Sequence, residues 1–257
     1  MFVQKRGQLT LFIIVAILII AILAMLFLVA IPNSWFGLKL QESGVTSVDD
    51  YFKDCFLDKS KESVILVASK AGYSDLQRLT LAVFYDERTA YYYKDNKTLI
   101  PPLNTIQEEL ANEIDKQKEY CFTLPTALQD YEIVKTNCTV RTQISKEIKV
   151  IFDCPLQIKK GAFSSTLKEK DTYSFNIDYN IPKELNISKA IITEYNSNKP
   201  YLCLNCINSI AENNNVFISI LPLFNNETSD YTMKESWFLI KEKFDDRNIS
   251  WRFAIKN

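Results

Sequence analysis

Residues 9–31 read LTLFIIVAILIIAILAMLFLVAI, apolar throughout except for Thr10 and followed at once by Pro32. As a helix this stretch is roughly 35 Å long, enough to cross a hydrocarbon core about 30 Å thick with some tilt. It reads as a transmembrane helix, and the reading of everything after it depends on that. Lys5 and Arg6 are the only charges ahead of it, and basic flanks stay on the cytoplasmic side. Residues 1–8 are therefore expected as a short cytoplasmic basic leader, with the C-terminal part of the chain outside the cell. Trp35 and Phe36 suit the outer headgroup layer, where aromatic rings anchor a span. A cleaved secretory signal would have a shorter apolar centre and a small-residue cleavage site. Here Pro32-Asn33-Ser34-Trp35 follows instead, so the expectation is a retained, single-pass anchor in the cell membrane.

The outer part is long enough for one large domain or two small ones. We expect a linker over 32–46 and an extracytoplasmic α+β domain over 47–257, with a break between subdomains near 125–131. The fold class is α+β: a long N-terminal transmembrane helix, then a mixed α/β domain with mainly antiparallel strands and disulfides. A hydrophobic content of 47% supplies a core even after the anchor is subtracted. The formal charge is −1 for the whole chain, with both signs interspersed, so the basic patch that nucleic-acid binding needs is missing. Histidine is absent, which removes the commonest general base and the commonest metal ligand together. His-based triads, zinc sites and haem ligation are excluded. The acidic pairs Asp49-Asp50, Glu108-Glu109 and Asp245-Asp246 fall on helix or turn faces, where solvated charge is the default. No catalytic, cofactor-binding or metal-binding residue is assigned, and the chain reads as non-enzymatic.

The six cysteines are Cys55, Cys121, Cys138, Cys154, Cys203 and Cys206. An even number on the outer side of a membrane reads as three disulfides. Six cysteines allow fifteen pairings, and spacing favours one of them. A hairpin centred on Lys146 sets Cys138 opposite Cys154, Cys203 and Cys206 are close enough to close on each other, and Cys55 is left for Cys121. The Cys203-Leu204-Asn205-Cys206 motif also admits thiol–disulfide exchange, because such pairs with a lowered thiol pKa sit where a strand meets a helix. No second Cys-x-x-Cys completes a four-thiolate zinc site. Five Asn-x-Ser/Thr sequons, at Asn96, Asn137, Asn186, Asn226 and Asn248, fit a glycan-coated exported surface.

Local signals place the elements. Ser47-Val48-Asp49-Asp50 offers a helix start, with Phe52, Cys55, Val64, Val67, Ala68 and Ala71 at helical spacing and Gly72 as the stop. Residues 79–84 and 89–93 form a hairpin, in which Tyr91-Tyr92-Tyr93 is expected to pack and could alternatively present a recognition shelf. Thr105-Ile106-Gln107-Glu108 is a capping box opening a helix whose apolar stripe, Ile106, Leu110 and Ile114, leads to Cys121. Strands are expected over 131–135, 140–144, 148–158 and 172–179, followed by short helices from Asn186 and over 202–211. A strand over 216–221 and a closing pair, 237–242 with 249–255, complete the chain.

Lys5-Arg6-Gly7-Gln8 running straight into an apolar helix resembles the class III signal sequences of archaeal type IV pilins and archaellins. That resemblance implies cytoplasmic cleavage between Gly7 and Gln8, leaving the hydrophobic helix attached. It also implies Glu at the fifth mature position, where this chain has Phe12. Cys55-Phe56, Gly72-Tyr73, the 106–121 helix and Trp251-Arg252-Phe253-Ala254 further resemble membrane-anchored surface proteins of small-genome archaea, which imply a location and an architecture but no activity. The functional expectation is a cell-surface protein serving in adhesion, envelope structure or a surface filament. Its partners would be the lipid bilayer through residues 9–31, like subunits or other pilin-like proteins, and an extracellular ligand. The alternative is a membrane-tethered thiol–disulfide oxidoreductase using Cys203 and Cys206.

Overall fold

The computed structural model describes residues 34–77, 79, 81–84, 87–135, 137–168, 173–198, 202–224 and 233–256. The apolar stretch 9–31 and the Gly7-Gln8 junction lie outside these residues. Among the described residues no helix is long and apolar enough to cross a membrane. The chain divides into two units at Asp49 and Asp50, and the architecture that follows belongs to residues 50–257, a mixed α+β fold with mainly antiparallel strands.

Helix α1 runs Ser34–Ser69, so it does not start at Ser47, and residues 34–46 of the expected linker are helical. Gly37 and Gly44 marked that linker. A helix-interior glycine costs only about 1 kcal/mol relative to alanine, however, and the Leu38-Lys39-Leu40-Gln41-Glu42 run between them favours helix. From Asp50 onward one stripe is buried: Phe52, Phe56, Ser60, Ser63, Val64, Val67 and Ala68. Two serines fit on that stripe because each hydroxyl bonds the carbonyl one turn back, Ser60 to Phe56 (2.6 Å) and Ser63 to Lys59 (2.8 Å). The helix ends where Gly72 N–H reaches back to the Val67 carbonyl (2.9 Å), a six-to-one bond that closes the last turn. Ala71 and Gly72 both take positive φ, 58° and 86°. The stop therefore uses two left-handed residues where one glycine was expected.

The chain then builds the largest described sheet, in the order β1-β2-β12-β11-β10. Its strands are β1 (Leu81–Phe84), β2 (Glu87–Lys94), β10 (Phe217–Phe224), β11 (Met233–Phe244) and β12 (Arg247–Lys256), with the short β3 (Lys97–Thr98) on β2. All neighbours are antiparallel except β12 on β2, which is parallel and brings the end of the chain beside its first hairpin. Asp95 and Asn96, both at positive φ (52° and 62°), close β2 onto β3, as a two-residue hairpin turn requires.

Between β3 and β10 lie helix α2 (Leu103–Gln117), two three-stranded sheets, β5-β6-β9 and β4-β7-β8, and helices α3 (Ile181–Ser197) and α4 (Leu204–Asn214). The β5 (Thr139–Ile144) and β6 (Ile148–Asp153) hairpin turns at 145–147 as the sequence predicts. The strand expected over 148–158 is two strands, because Cys154-Pro155 interrupts it. Proline has no N–H for a ladder, and β7 (Leu156–Lys160) leaves for the other sheet, between β4 (Glu132–Lys135) and β8 (Phe163–Lys168). Two helix starts also move. Helix α2 begins ahead of the Thr105 box, with Pro102 as its N-cap and the Pro102 carbonyl taking the N–H of Thr105 and Ile106. Helix α3 begins at Ile181 instead of Asn186, because Asn180 caps it, accepting the Lys183 N–H at 3.0 Å, and Pro182 fits the first turn.

Two aromatic clusters hold the layers. Phe56 of α1 stacks on Phe152 of β6 (4.4 Å between ring centres) and meets Tyr173 of β9 (Tyr173–Ile177) edge-on. In the large sheet Phe253 stacks between Tyr92 (4.9 Å) and Phe238 (5.3 Å), and the Tyr92 hydroxyl donates to the Ala71 carbonyl (2.8 Å). A Cβ on Gly72 would lie 2.9 Å from Ile106 Cγ1 and 3.3 Å from Trp251 Cη2, at a φ that disfavours side chains. Gly72→Ala is accordingly expected to destabilise the fold by roughly 1–3 kcal/mol. Urea unfolding of the full-length chain checks this, and an unchanged midpoint would show that the contact relaxes freely.

Candidate functional site

All six cysteines are described and paired, in the arrangement that spacing favours. Cys55–Cys121 joins helix α1 to the 3-10 turn after α2, with the Cα atoms 5.8 Å apart and a sequence separation of 66. Phe52, Phe56 and Phe122 pack against one another nearby. Cys138–Cys154 clips the open end of the β5–β6 hairpin, next to the Thr139–Asp153 pair. Cys203–Cys206 spans three residues at the start of α4. Cys203 is the N-cap, and its sulfur accepts the Cys206 N–H at 3.2 Å. Both sulfur-bearing residues are half-buried, while Leu204 between them and Phe217 at the start of β10 are exposed.

The remaining sequence-predicted positions scatter. Asn96, Asn137, Asn186 and Asn248 are exposed on separate elements, in the β2–β3 turn, before β5, on α3 and at the start of β12. The Asn96 side chain also accepts the Tyr93 hydroxyl (3.0 Å). Asn226, like Gly7 and Gln8, lies outside the described residues. Tyr91, Tyr92 and Tyr93 are buried, so they pack and form no shelf. Of the acidic pairs, Glu109 is tied to the backbone N–H (2.9 Å) and hydroxyl of Ser74, and Asp245 pairs with Lys61 at 2.5 Å. Among the described residues no group of three or more His, Cys, Asp and Glu side chains converges to hold a metal ion.

The sequence reading passed over Glu184. It sits in the first turn of α3, where an acidic residue reads as a solvated partner of the helix dipole, yet it is fully buried. Neither of its carboxylate oxygens has a hydrogen-bond partner. Glu242 of β11 binds the Lys183 ammonium with Oε1 (2.6 Å), while its Oε2 is also unpartnered and buried, as is the Tyr179 hydroxyl. Burial, and then the neighbouring Glu242, push the Glu184 carboxyl up to about 9, against the opposing pull of Lys183. Burial and the same two carboxylates raise Tyr179 well above its ordinary range. Only a helix-to-sheet contact places Glu184 beside Glu242, and no local pattern announces it.

No family model, no curated protein and no solved structure matches this chain.

The disulfides differ in what they constrain. By the loop-entropy relation a loop of this length is worth about 4 kcal/mol at Cys55–Cys121, and the three-residue loop about 1.5 kcal/mol. The Cys55→Ser/Cys121→Ser double variant is therefore expected to lose roughly two to three times as much stability as Cys203→Ser/Cys206→Ser. Denaturant midpoints of the two double variants decide it, and equal losses would contradict the ranking.

Proposed function

We propose that this chain is a membrane-anchored cell-surface protein with a pilin-like N-terminus, non-enzymatic, serving in adhesion, envelope structure or a surface filament. The observation that carries this reading is Lys5-Arg6-Gly7-Gln8 placed directly before the 9–31 apolar stretch. Two features of the described fold support it. Three disulfides, one of them a bond between distant elements, suit an oxidising exterior, and the exposed sequon asparagines suit a glycosylated surface. In this reading residues 9–31 hold the lipid bilayer, and like subunits or other pilin-like proteins are the natural partners of the helix after cleavage. Mass spectrometry of protein purified from its native membrane tests it. A mature chain beginning at Gln8 is expected, and an intact Met1 would remove the pilin-like part of the proposal.

One observation favours a second reading, that of a membrane-tethered thiol–disulfide oxidoreductase. Cys203 sits at the positive end of α4 with its sulfur facing the Cys206 N–H, an environment that favours a thiolate when the pair is reduced. A Cys206→Ser variant that accumulates mixed disulfides through Cys203 would support this reading. A pair that stays oxidised under mild reduction would remove it.

A further inference from the structure

We propose that Glu184 stores a proton beneath the large sheet and shares it with the Glu242 carboxylate, so that a carboxyl–carboxylate hydrogen bond latches helix α3 to strand β11 until alkaline conditions release it. The argument begins with unmatched atoms. Written as carboxylates, Glu184 and Glu242 present three buried acceptor oxygens without a donor, and buried polar groups left unpaired are strongly disfavoured. The groups that act on them come from each surrounding segment: Glu242 from β11, Lys183 from α3, Tyr179 from the segment leading into α3, and Tyr92 from β2. Lys183 is the cation among them, and Glu242 Oε1 already holds it at 2.6 Å. Two carboxylates and one ammonium leave a net negative charge against the buried Glu184.

One proton removes the net charge and pairs two of the three oxygens. With Glu184 un-ionised, its O–H donates to Glu242 Oε2, and Glu242 binds Lys183 with one oxygen and the acid with the other. The trio becomes neutral. The Tyr92 hydroxyl is engaged elsewhere, at the Ala71 carbonyl, and the Tyr179 hydroxyl, which the same two carboxylates act on, makes no hydrogen bond to either. A bond of this O–H···O⁻ type is about twice as strong as a neutral one, and here it joins a helix to a strand that are far apart in sequence. Losing the proton turns the bond into a repulsion between the buried Glu184 and the half-buried Glu242, which loosens the contact between α3 and β11.

The direction of the pH effect follows. The folded carboxyl, raised from the ordinary 4.5 to about 9, keeps a proton that the unfolded chain gives up. Its stabilising contribution is full below about pH 4.5, declines as pH rises, and is gone above about pH 9. This is opposite to an ion-paired carboxylate, whose contribution disappears in acid.

The test is urea unfolding of the full-length chain in detergent micelles between about pH 5 and pH 9, for the wild type and Glu184→Gln, which keeps the shape and a donor without the ionisation. The ratio of wild-type to variant folding constants is expected to fall by about tenfold per pH unit, with the variant the more stable form at the alkaline end. A ratio that does not change with pH overturns the proposal. Difference infrared spectroscopy of the wild type gives a second readout that needs no variant to fold. A carbonyl band of an un-ionised carboxylic acid is expected at pH 7, falling to about half near pH 9, and its absence at pH 7 overturns the proposal. Calcium or sodium chloride that stabilises the wild type but not Glu184→Gln at pH 7 would make the unmatched oxygens a cation site and overturn it as well. Hydrogen exchange, corrected for intrinsic rates, locates the latch. Helix α3 should lose protection before α2 as pH passes 9, and uniform loss contradicts a local release.

Discussion

The buried stripe of helix α1 is the constraint on which the rest of residues 50–257 depends. Its Phe52 and Phe56 enter the aromatic cluster of the β5-β6-β9 sheet, and its C-terminal turn, Ala71 and Gly72, seats on Tyr92 and Trp251 of the large sheet. One helix therefore forms the wall shared by two sheets. The middle of the stripe is made of the buried Ser60, Ser63, Val64, Val67 and Ala68, and the serines satisfy their hydroxyls within the helix. Cys55–Cys121 fixes the register of this wall against helix α2. Helix α2 is held in turn on the β5–β6 hairpin, where Thr142 donates to the Gln107 carbonyl (2.8 Å) and the Ile144 N–H to the Gln107 side chain (3.3 Å).

What the sequence makes legible is what short-range chemistry decides. The β5–β6 and β11–β12 hairpins alternate around polar turns, the stripe of α2 repeats every four residues, and the cysteine pairs follow once the hairpin is placed. The boundaries that moved were decided by residues with two readings. Gly37 and Gly44 are breakers in a linker but tolerable costs inside a long helix. Asn180 and Pro182 form a helix start that is easily overlooked beside the Asn186 sequon, and Pro155 splits what looked like one strand. The long-range features carry no local signature. Nothing near Tyr91 announces that Ala254 pairs with it in parallel, and nothing near Glu184 announces Glu242.

The same division runs through the candidate sites. The cysteines are recognisable by type and count, so their bonds could be anticipated, whereas the buried acid pair exists only because α3 lies on β11. The two are also different in kind. The disulfides act on the unfolded chain by shortening its loops and carry no titrating group, while the Glu184–Glu242 contact depends on a proton.

The most direct test of the account is a topology measurement on intact cells. A membrane-impermeant protease is added outside, and a maleimide is then applied to the denatured, unreduced protein. The account predicts that residues 50–257 are cut from outside and that none of the six cysteines takes the label. A C-terminal region protected from the protease, with all its cysteines labelled, would contradict it.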